Sequence, residues 1–567
     1  MRGVLILALL WLAVCAALAF VGWRHGRHGE ATLRRIRDRH DAAALIGDDS
    51  ELRSAERDFA QASSELSSPL LGPIRLVPVI GRQLRSAAAL SSAAREAVDA
   101  GADVVDTFHA AAGSTLPAGP ARGDLLRAVS RAATDAHRRL DAVDLGPRVG
   151  LVGTLVDARD ELATNLVTAD ELLAKASGTA DALARLFDGP SDYLLLAANN
   201  SEMRAGSGMY LQAGALTLAA GRVDVSEMKP TQTLRLPEGA VAVPDAYERL
   251  WSFLRAGEEW RNLSATPRFD VTAPLAASMW SAAGESPVQG VVAVDPFALK
   301  AILAAIGPVT LDDGSTVDAT NVVQLLLNEQ YRGVQAEDTE NDLRREQLRV
   351  ITRAVVRALG ERTPDAVTLF RGMLDAVHGR HLIVWSADES TEKIWRTVGA
   401  AGDEPANALG VALLNRGVNK LDYFTDVNVE LDVGQPEHGQ QALTMNITIT
   451  NHTPSGQAGY VAGPVQDVTT AYGDYKGIVA ITLPGFASTA TIDGVTQLTS
   501  AGPDGATQVV ATTVLVRKGE SITLVARASI PASSTVRLQP SARPRQERWT
   551  IGDRLLTDDR AHSIDLG

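Results

Sequence analysis

Between Leu151 and Phe187 the apolar residues recur every three or four positions, and a few residues later that rule stops. Leu151, Leu155, Ala158, Leu162, Leu166, Ala169, Leu173, Ala176, Ala180, Leu183 and Phe187 mark one stripe along a long helix with a coiled-coil-like seam. A chain with this period cannot present the same residues on one face of a strand. From Asp192 onward the apolar residues come instead in short runs bounded by Gly, Pro and Asn, so helix must give way to sheet there.

The chain has 567 residues, too many for one ordinary core, and three or so domains are expected. A formal charge of −14 argues against nucleic acid or anionic lipid as the main partner, without excluding a local basic pocket. The single cysteine, Cys15, excludes an intrachain disulfide framework and a thiolate metal cluster.

Cys15 lies inside the one strongly apolar run, Val4–Trp23, which carries no charge. At ~1.5 Å per residue its length matches a hydrocarbon core of roughly 30 Å, and Trp23 stands where an interfacial anchor would. A cleaved signal peptide ending near Ala17-Leu-Ala19 would need a shorter core. A lipoprotein site at Cys15 would need a smaller residue than Val14. An uncleaved single-pass anchor in the cell membrane fits best. Arg24, Arg27, Arg34, Arg35 and Arg37 follow the run and only Arg2 precedes it, which by the positive-inside rule alone puts the following domains in the cytoplasm.

Residues 24–188 read as a helical bundle or stalk, with Ala-rich helices over Arg82–Ala112 and Asp124–Val143 and breaks at Gly72-Pro73 and Pro117–Pro120. Such a stalk serves spacing or self-association. Residues 189–426 mix strands and helices, as in an α/β domain with helices on both faces of a sheet. Tyr193–Ala197 is the first strand, and Met209–Leu218 with Arg222–Val225 forms a hairpin. From about residue 427 the pattern is β throughout. Leu443, Met445, Ile447 and Ile449 alternate with Thr444, Asn446, Thr448 and Thr450, giving one dry and one wet face. Val509–Arg517 and Ser521–Ile530 read as a hairpin about Lys518-Gly519, and 427–540 as an immunoglobulin-like sandwich. The charged tail, 541–567, is expected to be loose. The fold class is therefore multidomain α+β.

Candidate site residues cluster at Asn199-Asn-Ser-Glu-Met-Arg204. Asparagines past a strand end cap the next element, and Glu202 with Arg204 makes a local pair. Yet the carboxyl end of a sheet strand is also where α/β domains bind ligands, and Gly206 and Gly208 would let backbone amides approach an anion. Asn199, Asn200, Glu202 and Arg204 are the leading candidates, with Arg222, Lys420 and Asp422 beside them. No glycine pattern matches a nucleotide loop. Asp295-Pro296 has a sufficient role as a helix N-cap. His378 and His381 lack a third ligand, so no metal site is expected. Asp426–Asp432 imitates calcium-loop spacing, but its alternation says strand.

YLLLAANNSEMRAGSGMY (193–210), the hairpin to Gly221-Arg222, VQGVVAVDPFALKAILAAIGPVTL (288–311), HLIVWSAD (381–388) and NKLDYF (419–424) together resemble the bacterial domain of unknown function 4012 family. PIRLVPVIGR (73–82) looks like that family's stalk. The resemblance implies a membrane-anchored, extracytoplasmic protein and brings no established activity with it. VVAVDPFALKAILAAIGPVTL also looks like the LytR-CpsA-Psr phosphotransferase core, whose members move glycopolymer from polyprenyl pyrophosphate carriers with arginines and Mg²⁺-binding aspartates. YLLL (193–196) followed by polar residues and an arginine likewise looks like that family's opening strand, and the resemblance implies Arg204 as a phosphate contact. It departs from the pattern at Asn199 and Asn200, where an acidic ligand is wanted, and at Pro308, which replaces a glycine. The leading expectation is a non-catalytic binding or assembly factor for envelope glycopolymer or a polyprenyl-linked glycan, without cofactor. The alternatives are an active phosphotransferase using Mg²⁺ and a purely structural adhesion module.

Overall fold

The computed structural model describes residues 2–39, 49–113, 115–331, 341–463 and 470–566, without the side chains of 2–13, 33, 36–39 and 341–349. It forms two compact units, Met1–Leu186 and Phe187–Gly567.

The first unit is a bundle of helices α1 (Arg2–Arg39), α2 (Ser50–Ser67), the short α3 (Gly72–Arg75), α4 (Pro78–Ala112), α5 (Ala121–Asp141) and α6 (Gly153–Asp188). Leu52, Ala55, Phe59, Ala94, Val98 and Ala102 make one buried cluster, and Ala100, Ala136 and Leu140 another. Small residues set the helix spacing. A Cβ at Gly29 would meet the Phe59 ring at 2.9 Å, and one at Gly22 would meet Leu66 at 2.8 Å. Among the described residues no helix is long and apolar enough to cross a membrane. The side chains of residues 4–13, half of the expected anchor, lie outside the described set.

The second unit opens with a mixed sheet. Its strands are β1 (Ser191–Met203), β2 (Gly208–Ala219), β3 (Arg222–Val225), β4 (Lys229–Pro230), β5 (Gly290–Val294) and β8 (Leu382–Ser386); β6 (Val309–Thr310) and β7 (Thr316–Val317) pair separately. The order is β3-β2-β1-β5-β8, with β4 on β2. Only the β1–β5 pair is parallel. The expected hairpin is present, and its turn residues Ala220 and Gly221 both have positive φ, as a two-residue primed turn requires. Helices α7 (Asp245–Trp251), α8 (Phe269–Ala282), α9 (Pro296–Ile306), α10 (Val322–Leu327), α11 (Asn341–Glu361), α12 (Ala366–His378) and α13 (Glu389–Thr397) accompany the sheet.

Two further six-stranded sheets follow. One runs β13 (Ser488–Ile492), β16 (Ser521–Pro531), β11 (Gln440–Asn451), β10 (Thr425–Val433), β18 (Arg548–Ile551), β19 (Arg554–Leu556). The other runs β14 (Ser500–Asp504), β15 (Thr507–Val516), β12 (Tyr475–Pro484), β9 (Ala408–Asn415), β17 (Thr535–Leu538), β20 (His562–Asp565). Their inner faces share one core, including Leu443, Met445, Ile447 and Ile449 opposite Val479, Ile481 and Val514. The alternation read from the sequence is the sandwich core. Residues Asp426–Asp432 lie in β10 as a strand.

Three expectations need correction. β15 and β16 are not a hairpin: β15 pairs with β12 and β14, β16 with β11 and β13, so the Lys518-Gly519 turn crosses between sheets. Two strands each flanked by other partners have no edge left for one another. The tail is not loose, because β18 pairs with β10 and β20 with β17. Nor does β1 end at Ala197; it continues to Met203.

The outer face of the β9–β12–β15 sheet is also buried. Leu414, Ile478, Ala480, Val509 and Ala511 join the core formed by Leu194, Leu196, Trp260 and Phe269. That sheet is thus the middle layer between sandwich and α/β region, and β1 runs out against it.

Candidate functional site

β1 pairs with β5 only over Tyr193–Ala197. Beyond Ala197 it loses that neighbour, its register with β2 shifts, and its polar residues meet the segment after β9. There Asn199, Asn200, Glu202, Arg204, Lys420 and Asp422 are all buried. The structure brings these six sequence candidates together and leaves Arg222 out. Arg222 is exposed on β3, opposite Ala219. It lies beside the start of β1, roughly 25 Å from Asn199 at ~3.3 Å per strand residue.

Each buried group is committed to an internal partner. Lys420 donates to Glu202 and sits 4.7 Å and 5.0 Å from the ring centres of Tyr331 and Tyr460, a cation–π cage closed over an ion pair. Burial works against the charged Lys420 ammonium, but the Glu202 carboxylate outweighs it and holds the pKa above its ordinary value. Arg204 donates from Nη1 to the carbonyls of Met203 (2.9 Å) and Asn415 (2.8 Å), and from Nη2 to Asn262 Oδ1 (2.9 Å). Its burial, with Arg416 nearby, pulls the guanidinium down to about 10, so it stays charged at neutral pH. Asp422 accepts from the Met203 amide (3.0 Å), Asn415 Nδ2 (2.8 Å) and Tyr475 OH (2.9 Å). Burial raises its carboxyl above the usual range.

The asparagines behave the same way. Asn199 Nδ2 donates to Tyr331 OH (2.9 Å), and Asn200 Nδ2 to Asp295 Oδ2 (2.8 Å) and the Ala542 carbonyl (2.7 Å). Asp295 is the expected N-cap, accepting at Oδ1 from the amides of Phe297 and Ala298. It also does what the sequence did not suggest. Its Oδ2 faces His381 Nδ1, while His381 Nε2 meets Asp559 Oδ2 at 2.6 Å. Burial opposes a charged imidazole, yet the two carboxylates raise His381 to about 10. The result is an imidazolium bridging the N-terminus of α9 and the C-terminal tail.

Gly206 and Gly208 serve close backbone approach within the chain rather than an anion. A Cβ at Gly206 would meet the Thr266 carbonyl at 2.7 Å, and one at Gly208 would collide with the Asn199 backbone. The Gly206 amide already donates to the Ser264 carbonyl at 2.8 Å. Mg²⁺, implied only by the phosphotransferase resemblance, does not fit here. Asn199 Oδ1 accepts from the Ser201 amide and both Asp295 oxygens face N–H groups, so of these three residues only the buried, unpartnered Asn200 Oδ1 is open, whereas Mg²⁺ needs several oxygen ligands.

Residues 188–331 match the family described as Protein of unknown function (DUF4012). No curated protein and no solved structure matches the chain. The DUF4012 match covers Asn199 to Arg204, Asp295 and Tyr331. It excludes Lys420, Asp422, Asn415, His381 and Asp559, so the DUF4012 segment completes its buried polar groups with residues from outside itself. Sequence reasoning missed Tyr331, Tyr460, Asn262 and Asp559, whose partners in the site lie tens to hundreds of positions away and leave no local signal, and Asn415, which bonds Asp422 seven positions on.

Two other features of the described residues bear on chemistry. His137, Asp141 and Asp170 form the one grouping of potential metal-ligand atoms, within the helical bundle. A groove of about 320 Å³ opens between β3 and α11, with Asp224, Val225, Met228, Arg353, Val356 and Arg357 among its lining.

Proposed function

We propose that the chain is a single-pass, membrane-anchored, extracytoplasmic binding or assembly factor for cell-envelope glycopolymer that carries out no phosphoryl transfer. One observation carries this reading. The residues that correspond to the phosphotransferase core, Asn199 to Arg204 with Asp295, point inward and bond within the fold, with Asn200 Oδ1 the one buried acceptor among them left unpartnered. Arg204, the residue that would contact a pyrophosphate, holds two carbonyls and an amide oxygen instead. On this reading the α/β region is a distant relative of the LytR-CpsA-Psr core, retained as scaffold. The sandwich is an immunoglobulin-like module, and Val4–Trp23 is the anchor.

Glycopolymer binding is assigned to the groove between β3 and α11. Arg353 and Arg357 stand one helical turn apart beside an apolar floor of Val225, Met228 and Val356, a combination suited to phosphate or carboxylate groups on a sugar chain. The test uses the detergent-solubilised full chain with a phosphate-bearing cell-wall polysaccharide and with a polyprenyl pyrophosphate-linked glycan. Saturable polysaccharide binding is expected, weakened about tenfold (~1.4 kcal/mol) by Arg353→Ala with Arg357→Ala. Mg²⁺-dependent pyrophosphate release is expected to stay at background. Release above background would favour the phosphotransferase, and neither binding nor release would leave a structural adhesion module.

A further inference from the structure

The end of the bundle at which α1 begins carries an unusual concentration of apolar surface. Phe20, Trp23, Leu76, Val79, Ile80 and Val149 are all exposed there, with Leu76 at 84%, Val149 at 83% and Val79 at 69% of full exposure. Soluble proteins rarely leave such side chains contiguous in water.

Hydrogen bonds gather the segments that carry these residues at the same end of the bundle. The Cys15 thiol donates to the Leu70 carbonyl at 3.4 Å, which ties the α2–α4 connection to the apolar run of α1. Gln83 Nε2 donates to the Gly150 carbonyl (2.8 Å), and its Oε1 accepts from the Val152 amide (3.0 Å), which brings the α5–α6 connection beside Ile80. Higher in the bundle, Arg34 pairs with Glu161 at 2.6 Å. Counting down from that pair at ~1.5 Å per residue, Trp23 lies about 16 Å below it and Val152 about 14 Å. Leu70, level with Cys15, is about 12 Å below Trp23 on the same rise.

Charge changes sign on the α2–α4 side of this end, while the α5–α6 connection carries Asp144 beside Arg148. The chain as a whole is acidic, but no acidic residue occurs between Glu65 and Glu96, while Arg75, Arg82 and Arg85 do. Exposed Arg24 and Arg27 join them from α1.

We infer that this end of the bundle is a membrane-docking face seated in the headgroup region of a bilayer. Trp23, Val149 and Val152 mark the interface. Leu70 reaches toward the acyl chains, and the arginines meet anionic headgroups. The inference rests on the reading of Val4–Trp23 as an anchor and adds that the folded bundle itself enters the interface. The occupant is lipid, because the apolar face is continuous with the uncharged run and the surrounding cations suit phosphate.

The test places an environment-sensitive fluorophore at Ile80→Cys, Val149→Cys or Val167→Cys, each in a Cys15→Ser full-length chain. The chains are reconstituted into phosphatidylethanolamine–phosphatidylglycerol vesicles. Val167 is exposed on α6, well above the proposed interface, and serves as the aqueous control. Blue-shifted emission at 80 and 149, losing more than half its intensity to lipid spin-labelled near the headgroup, is expected, with no change at 167. Solvent-like emission at 80 and 149, in a chain that alkaline carbonate fails to extract, would overturn the docking face and leave the anchor standing. Extraction by carbonate would defeat both. A blue shift without lipid quenching would mean that a second copy covers the face, and would also overturn the inference.

Discussion

The two halves of β1 are buried to a similar degree and held in opposite ways. Leu194 and Leu196 are fully buried among Trp260, Phe269 and Val291, and each contributes by area, about 1.5–3 kcal/mol for a fully buried leucine. Asn199 to Arg204 are as deeply buried but gain little from area. They are tolerated because every charge among them meets a counter-charge or a fan of carbonyls and amides. The first half would suit many cores, whereas the second suits only this one. Buried polar networks stabilise when complete and destabilise sharply when one member is lost.

The contrast can be broken from the polar side first. Lys420→Met leaves Glu202 buried without its cation and should cost about 3–5 kcal/mol. Urea unfolding followed by tryptophan emission suits the measurement, since six of the eight tryptophans lie beyond residue 187. Adding Glu202→Leu should recover most of that loss. If the single variant lost no more than a surface substitution, the pair would not be the closed cage described. On the apolar side, Leu196→Ala should cost about 3 kcal/mol through lost contact and the cavity left behind. That loss should simply add to a distant core truncation such as Ile447→Ala, whereas Lys420→Met and Glu202→Leu should not add.

The last effect is read as a slope against pH. His381 is raised from 6.5 to about 10 in the folded chain, so the folded state holds the proton more tightly. Its contribution is complete below about 6.5 and is lost as pH rises toward 10. One proton limits the slope to about 1.4 kcal/mol per pH unit. His381→Gln should flatten the fall of stability across that window; an unchanged slope would remove the Asp295–His381–Asp559 bridge from the account. Glu404 and Glu547, raised by burial to about 7, act in the same sense at lower pH, between about 4.5 and 7, and would still be seen in the variant.

Much of the architecture was legible because apolar periodicity is local. The seam of α6, the wet and dry faces of β11, the β2–β3 hairpin and the Asp295 cap each follow from residues a few positions apart. The site was legible only as a list of polar residues around Asn199 to Arg204 with Lys420 and Asp422, because hydrogen-bond partners have no period. Glu202 finds its partner 218 positions away, and Asn200 meets a carbonyl 342 positions away. Arg222, grouped with the others by proximity in sequence, went to the far end of the sheet because a hairpin doubles back along its own strand.

Taken alone, the sequence determined that a helical bundle precedes a mixed sheet and a β-sandwich, since side-chain period selects the element whose face can be buried. Tertiary structure alone decided that β1 runs on past its parallel neighbour, that β15 and β16 part into different sheets, and that the tail closes both. It also turned Asn199 to Arg204 inward. A buried polar group must be satisfied wherever a partner can reach it, and only the assembled fold brings β1 to the sandwich and the tail.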